Sequence, residues 1–175
     1  MSNMIKAAKE QVAALTQAAY ERAAQAGVLP GGAAVNATIE IPKDVKNGDY
    51  ASSFAMAGAK AMHMAPRAIA QGVVDHMDLS GSFFSKVEIA GPGFLNFTLG
   101  ERWYAQVLSA IETEGENYGR SDEGKGEKIM VEFVSANPTG PMHMGNARGG
   151  VLGDTLAEVL SRAGADVWRE FYVNA

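Results

Sequence analysis

Apolar residues recur at intervals of three and four from about Met4 to Ala26, at Ile5, Ala8, Val12, Leu15 and Ala19, and predict an amphipathic helix. Gly27 suits its C-cap, and Pro30-Gly31-Gly32 stops any continuation. Thr38 to Ile41 reads as a short strand ended by Pro42, and Asn47-Gly48-Asp49 as a turn. Tyr50 to Met56 fits either a strand or the lead-in to a helix. Pro66 suits the first turn of a helix running to about Met77, with Ile69, Val73 and Met77 on one face. Phe84 to Ala90 and Phe94 to Leu99 alternate, with Gly91-Pro92-Gly93 between them, and predict a hairpin. Trp103 to Ile111 has helical spacing.

The pattern changes after a stretch rich in Gly, Ser and charge from Gly115 to Lys128, taken as the domain boundary. Lys128 to Ser135 is almost continuously apolar, as in a strand buried on both faces of a parallel sheet. Gly145 to Arg162 reads as a helix with Leu152, Leu156, Val159 and Ala163 facing inward, and Asp166 to Asn174 as a second strand. The expected organisation is an α+β domain over 1–114, a linker over 115–127, and one βαβ unit over 128–175.

Composition narrows the classes. The 175 residues are 47 % hydrophobic and 20 % charged, as in a folding globular protein. With no cysteine there is no disulfide framework and no thiolate metal site, which fits a cytoplasmic location. No apolar run approaches the roughly 20 residues needed to cross a bilayer, and the first residues lack a signal-peptide core. A net charge of −5 counts against a generic nucleic-acid binder. A local patch can still serve, because screening confines charge effects to about 8–10 Å. Lys6, Lys9, Arg22, Lys43, Lys46, Lys60 and Arg67 are its candidate members; the bland alternative for each is a solvated surface charge. His63 and His76 lack partners at metal-ligand spacing and read as ordinary helix residues. The nine methionines read as adaptable core filler, and Trp103 and Trp168 as packing anchors.

The chemistry concentrates between Ser135 and Gly150. Ligands of open α/β sheets bind beyond the carboxyl ends of the strands, where Ser135 to Met142 lies. The next helix directs unpaired N–H groups and a partial positive charge outward, which favours phosphate. That dipole is worth only about 0.3–1 kcal/mol at exposed sites, so side chains must supply the rest. His143 and Asn146 can both donate hydrogen bonds. Gly145, Gly149 and Gly153 form a stripe on one helix face at about 1 kcal/mol of lost propensity each, so something approaches that face closely. Packing explains Gly153 and a nucleotide Gly145, while Gly149 fits either. Glu132 interrupts an apolar strand, where a buried carboxylate needs a partner such as a guanidinium; a structural ion pair or an edge position is the other reading.

The run Val131-Glu132-Phe133-Val134-Ser135-Ala136-Asn137-Pro138-Thr139-Gly140-Pro141-Met142-His143-Met144-Gly145-Asn146-Ala147-Arg148-Gly149-Gly150 resembles the arginyl-tRNA synthetase form of the HIGH signature of class I aminoacyl-tRNA synthetases. Gly153-Asp154-Thr155-Leu156 and Arg169-Glu170-Phe171-Tyr172-Val173-Asn174 are similar to that family too. Gly91-Pro92-Gly93-Phe94-Leu95-Asn96-Phe97 resembles the end of its N-terminal additional domain. The resemblance implies the α+β additional domain followed by the first βαβ unit of a Rossmann-like α/β catalytic domain, left incomplete. It implies adenylation of arginine by ATP and transfer to tRNA. His143 and Asn146 would be catalytic; His143, Gly145, Asn146 and Gly149 would bind ATP; Glu132, Ser135, Asn137 and His143 would bind arginine. Magnesium is expected with ATP, although the sequence specifies no metal site. Lys43, Lys46 and Arg67 would contact tRNA, through a domain that in the family meets the tRNA elbow.

The chain departs from the family pattern twice. Asn146 stands where the signature has a second histidine. The KMSKS loop of the second catalytic half does not occur. The expectation is therefore an N-terminal fragment, inactive alone and prone to self-association through its incomplete sheet. The alternatives are a stand-alone module binding the tRNA elbow without catalysis, and another His-x-Gly-x nucleotidylyltransferase.

Overall fold

A computed structural model describes residues 3–137 and 139–173. It divides into two compact units, Met4–Glu114 and a second from Gly115 onward.

In the first unit, helix α1 (Asn3–Gln25) buries Ala8, Val12, Thr16, Ala19, Tyr20 and Ala23 on one stripe. The Thr16 hydroxyl donates back to the Val12 carbonyl at 2.7 Å, so its burial leaves no polar atom unpaired. Gly27, at φ +74°, ends the helix as its sequence position predicts. A four-stranded antiparallel sheet follows in the order β1 (Ile39–Glu40), β2 (Tyr50–Ser52), β4 (Phe94–Leu99), β3 (Phe84–Ala90). The β3–β4 hairpin has the predicted bounds. The ambiguous stretch after Tyr50 is both things in turn: β2 ends at Ser52 and α2 (Phe54–Met62) starts two residues later. The Ser52 hydroxyl accepts from the Phe54 N–H at that junction, at 3.3 Å.

Helix α3 (Pro66–Asp75) starts at its proline and stops two residues short of the expected Met77. His76 is its C-cap, with Nδ1 donating to the Gly72 carbonyl at 2.8 Å and its own carbonyl accepting from Arg22 Nε at 2.9 Å. His63 caps α2 in the left-handed region at φ +51°. Neither histidine is an ordinary helix residue; both serve where helices end. Phe84 stacks edge-on between Tyr50 and Phe97, with ring centroids at 6.0 and 5.3 Å. Such pairs are worth about 0.5–1.5 kcal/mol each beyond their buried area. Around them Val12, Tyr20, Phe54, Ile69, Val73 and Leu95 complete the core. Helix α4 (Glu101–Glu114) is longer at both ends than its apolar spacing suggested, and Trp103 packs against this core.

The second unit is a βαβ unit: β5 (Lys128–Glu132), α5 (Met144–Arg162) and β6 (Asp166–Glu170). The strands are parallel, from Lys128 beside Asp166 to Glu132 beside Glu170. The segment before β5 lies on the end of α5, where Ser121 and Gly124 N–H groups donate to the Arg162 and Ala163 carbonyls at 3.0 and 2.8 Å.

Five expectations are corrected here. β5 stops at Glu132, not Ser135, because Val134 turns left-handed at φ +61°. It is not buried on both faces, and Met130 is 63 % exposed. Helix α5 turns Gly153 and Ala157 inward, while Leu152, Leu156 and Val159 face outward. The cause is local: a Cβ on Gly153 would collide with the Phe133 side chain, and one on Gly150 would lie 3.1 Å from Val134 Cγ2. The small-residue face is therefore the one that fits against the chain leaving β5. Trp168 is no packing anchor; it is 67 % exposed, and its Nε1 donates to Glu170 Oε2 at 2.6 Å. Strand β6 ends at Glu170, short of the expected Asn174: residues 171–173 have left the ladder, and Asn174 itself lies outside the described residues.

Candidate nucleotide site

The parallel pairing sets the carboxyl ends of β5 and β6 side by side. The last ladder bond runs from the Phe133 N–H to the Glu170 carbonyl at 3.2 Å. Beyond it the chain turns tightly at Ser135, with the Ala136 N–H donating to the Val134 carbonyl at 2.8 Å. The Ser135 hydroxyl accepts from the Tyr172 N–H at 2.9 Å and ties this turn to the segment after β6. A cleft of about 540 Å³ opens at these ends.

The start of α5 is capped reciprocally. His143 is the N-cap residue; its Nδ1 accepts from the Gly145 N–H at 3.1 Å. The Asn146 side-chain oxygen accepts from the His143 N–H, also at 3.1 Å. This is a capping box built from His and Asn in place of Ser and Glu. It has a chemical consequence for both side chains. An Nδ1 that accepts a hydrogen bond leaves the imidazole proton on Nε2. An Asn146 oxygen used for capping leaves the amide NH₂ as a donor. Two neutral donors thus stand at the positive end of a helix whose first N–H groups point the same way, an arrangement suited to phosphate oxygens.

The cleft brings together three of the predicted residues, Asn137, His143 and Asn146. Gly145 lies beside it; a Cβ there would sit 2.8 Å from the His143 ring, so the glycine makes room for the cap. Ser135 stands behind the cleft, engaged with Tyr172. Gly149 faces open space, with nothing within 4 Å of a built Cβ. Glu132 is exposed and does not line the cleft. This corrects the expectation of a buried carboxylate. Sequence reasoning passed over Phe171, Tyr172 and Val173, which form another part of the lining. Their signal was topological: in a parallel pair the residues after both strands meet at the same edge. Pro138, inside the signature, lies outside the described residues. Among the described residues no three His, Cys, Asp or Glu side chains come together as a metal would require.

In the first unit a separate groove of about 410 Å³ is lined by Lys43, Asp44, Asn47, Pro92, Phe94 and Asn96, among others. Lys46 lies in the turn between Asp44 and Asn47, where its N–H donates to Asp44 Oδ1 at 3.0 Å. Arg67 Nη1 donates to the Gly91 carbonyl, also part of the groove, at 3.3 Å. Of the three predicted basic residues Lys43 lines this groove, Arg67 bonds to one of its lining residues, and Lys46 is next to it along the chain.

Residues 4–99 match the family described as the arginyl tRNA synthetase N terminal domain. The chain belongs to the arginyl-tRNA synthetase family. Residues 106–175 match a second description, the catalytic domain of class I (R) tRNA synthetases. Among curated relatives, the arginine–tRNA ligase of Acetivibrio thermocellus is 49 % identical over 99 % of this chain and 31 % of its own length. That of Caldanaerobacter subterraneus is 48 % identical with the same coverage, 99 % and 31 %. The chain thus spans about a third of the length of these relatives. The crystal structure of arginyl-tRNA synthetase from Plasmodium falciparum shares the fold, with a TM-score of 0.54 and 15 % identity over 93 % of this chain and 30 % of that one.

Proposed function

We propose that this chain supplies one wall of the arginine–ATP site of an arginine–tRNA ligase. The observation that carries the reading is the capped start of α5, where two fixed neutral donors face a cleft at the carboxyl ends of a parallel strand pair. His143 Nε2 and the Asn146 amide hold phosphate oxygens of ATP, Gly145 lets the backbone come close, and Gly149 leaves room along the helix. Asn137 and Ser135 orient the amino-acid part of arginine with His143, and Glu132 meets the guanidinium as an exposed carboxylate. Attack of the arginine carboxylate on the α-phosphorus, with pyrophosphate leaving, needs positioning and charge stabilisation more than covalent help. Magnesium would come to the site with ATP; the described residues offer it no cluster of ligands of their own.

The domain assignment follows: 1–114 as the tRNA-contacting domain, 115–127 as the connection, and 128–175 as the start of the catalytic domain. Lys43, Lys46 and Arg67 contact tRNA at and beside the groove that Lys43 lines. A module that only binds tRNA is the weaker reading, because residues 106–175 match a catalytic domain. A cysteine-free chain suits the reducing cytoplasm where such a ligase would work. None of the described helices is long and apolar enough to cross a membrane. The outward Leu152, Leu156 and Val159 make a second copy of the chain the expected neighbour when nothing else covers them.

The test is ATP–pyrophosphate exchange with arginine and tRNA. The chain assayed alone gives no exchange, since it spans about 31 % of its relatives' length. Robust exchange would overturn the division of the site between this chain and further sequence. Binding of tRNA should weaken steeply with salt, as phosphate contacts require.

A further inference from the structure

Val134 is the one β-branched residue among the described residues with a positive φ, at +61°. Side chains branched at Cβ avoid this region, and such an outlier persists only where its surroundings hold it. The surroundings here are specific. Before Val134, Phe133 makes the last ladder bond to Glu170. After it, the chain closes the tight turn at Ser135, whose hydroxyl receives the Tyr172 N–H at 2.9 Å. To the side, Cγ2 of Val134 lies 3.1 Å from where a Cβ on Gly150 would stand. Gly150 belongs to the same helix that His143 caps. One strained residue thus sits between the loop carrying Ser135 and Asn137 and the helix carrying His143 and Asn146.

We infer that Val134 is a positioning residue: its side chain, lodged against Gly150, holds the left-handed turn that sets Ser135 against Tyr172 and brings Asn137 to the cleft that His143 lines. With an ordinary extended φ at 134, β5 would run straight on to Ser135, as the apolar run of the sequence suggests. A strand continued through 134 would remove the tight turn in which Ser135 meets the Tyr172 N–H. The strand must therefore be broken at 134, and the glycine at 150 leaves the space that the breaking residue needs. The inference rests on the proposed arginine–ATP reading for its functional meaning and not for its geometry.

The test uses the whole chain with Val134→Gly and, as the milder change, Val134→Ala, which keeps Cβ and removes the carbons that reach Gly150. Amide order parameters are measured by ¹⁵N relaxation without ligand. Rigid backbone gives about 0.85 and flexible backbone below about 0.6. In both variants Ser135, Ala136 and Tyr172 should fall from the first range toward the second, while β5, β6 and the interior of α5 stay rigid. Unchanged values in the turn would overturn the inference. So would a uniform loss throughout the unit, which marks Val134 as a general packing residue. Weak arginine and ATP binding, titrated separately, should drop roughly tenfold in Val134→Gly, about the cost of re-ordering one freed backbone residue. If the unaltered chain binds neither ligand while the turn still loosens, the functional reading fails and the positioning role stands.

Discussion

Two glycines four residues apart on α5 should respond to alanine in opposite directions. At Gly149 a built Cβ meets nothing within 4 Å. Replacing an interior helical glycine there gains about 1 kcal/mol of propensity. At Gly153 the same Cβ would overlap Cβ and Cγ of Phe133, at the root of the side chain where no torsion can move it aside cheaply. Overpacking of this kind costs about 1–3 kcal/mol. Subtracting the propensity gain leaves a net loss of up to about 2 kcal/mol. The assay is native-state amide exchange along α5, which reports this helix even if the two units unfold separately. Gly149→Ala should slow exchange about fivefold, and Gly153→Ala should speed it by up to about thirtyfold. If both variants shift exchange the same way, the packing of α5 on Phe133 is wrong. A Gly149→Ala chain that is stabilised yet binds ATP less well would also place the nucleotide along that open face.

Other predictions concern the cap, an ionic cluster and the exposed face. Asn146→Asp keeps the oxygen that accepts from the His143 N–H and removes the amide donor. It should leave helix stability nearly unchanged and weaken ATP binding, whereas Asn146→Ala loses the reciprocal bond and about 1 kcal/mol by thermal melting. The Arg162 hydrogen bond at 2.9 Å, aided by Arg169, holds the Glu158 carboxyl below the ordinary value of 4.5. A folded-state value lower than the unfolded one gives stability that is present above 4.5 and lost as pH falls through the folded value. The melting temperature should thus decline below about that pH, and Glu158→Gln should flatten this part of the profile. Sedimentation should show concentration-dependent self-association, reduced by Leu152→Glu with Leu156→Glu; a monomer at all concentrations would contradict it.

The parts of the fold legible in the sequence are those whose local chemistry has one solution. Gly91-Pro92-Gly93 between two alternating runs admits only a hairpin, and the structure has it with the same bounds. Pro66 and Gly27 likewise mark helix ends by backbone geometry that nothing distant can override. The failures have tertiary causes. Helix α5 carries apolar residues on two faces, and periodicity prefers the bulkier one. What decided the matter was Phe133, a neighbour that only the fold supplies. The end of β5 was misplaced because nothing in Phe133-Val134-Ser135 marks a left-handed valine. At the site, Asn137, His143 and Asn146 were legible because strand, loop and helix follow one another in the chain. The contribution of Phe171 to Val173 depended on which strand pairs with β5. Glu132 looked buried in an apolar run, but β5 alternates, and Glu132 falls on its exposed positions with Lys128 and Met130.

The central claim is that the turn after β5 and the capped start of α5 form a ligand site. Backbone amide shifts followed while ATP, and separately arginine, is added to the whole chain test it most directly. ATP should move the amides of His143, Gly145 and Asn146, arginine should move those of Ser135 and Asn137, and α1 to α4 should stay still. Shifts that avoid residues 135–146, or none at millimolar ligand, would contradict it.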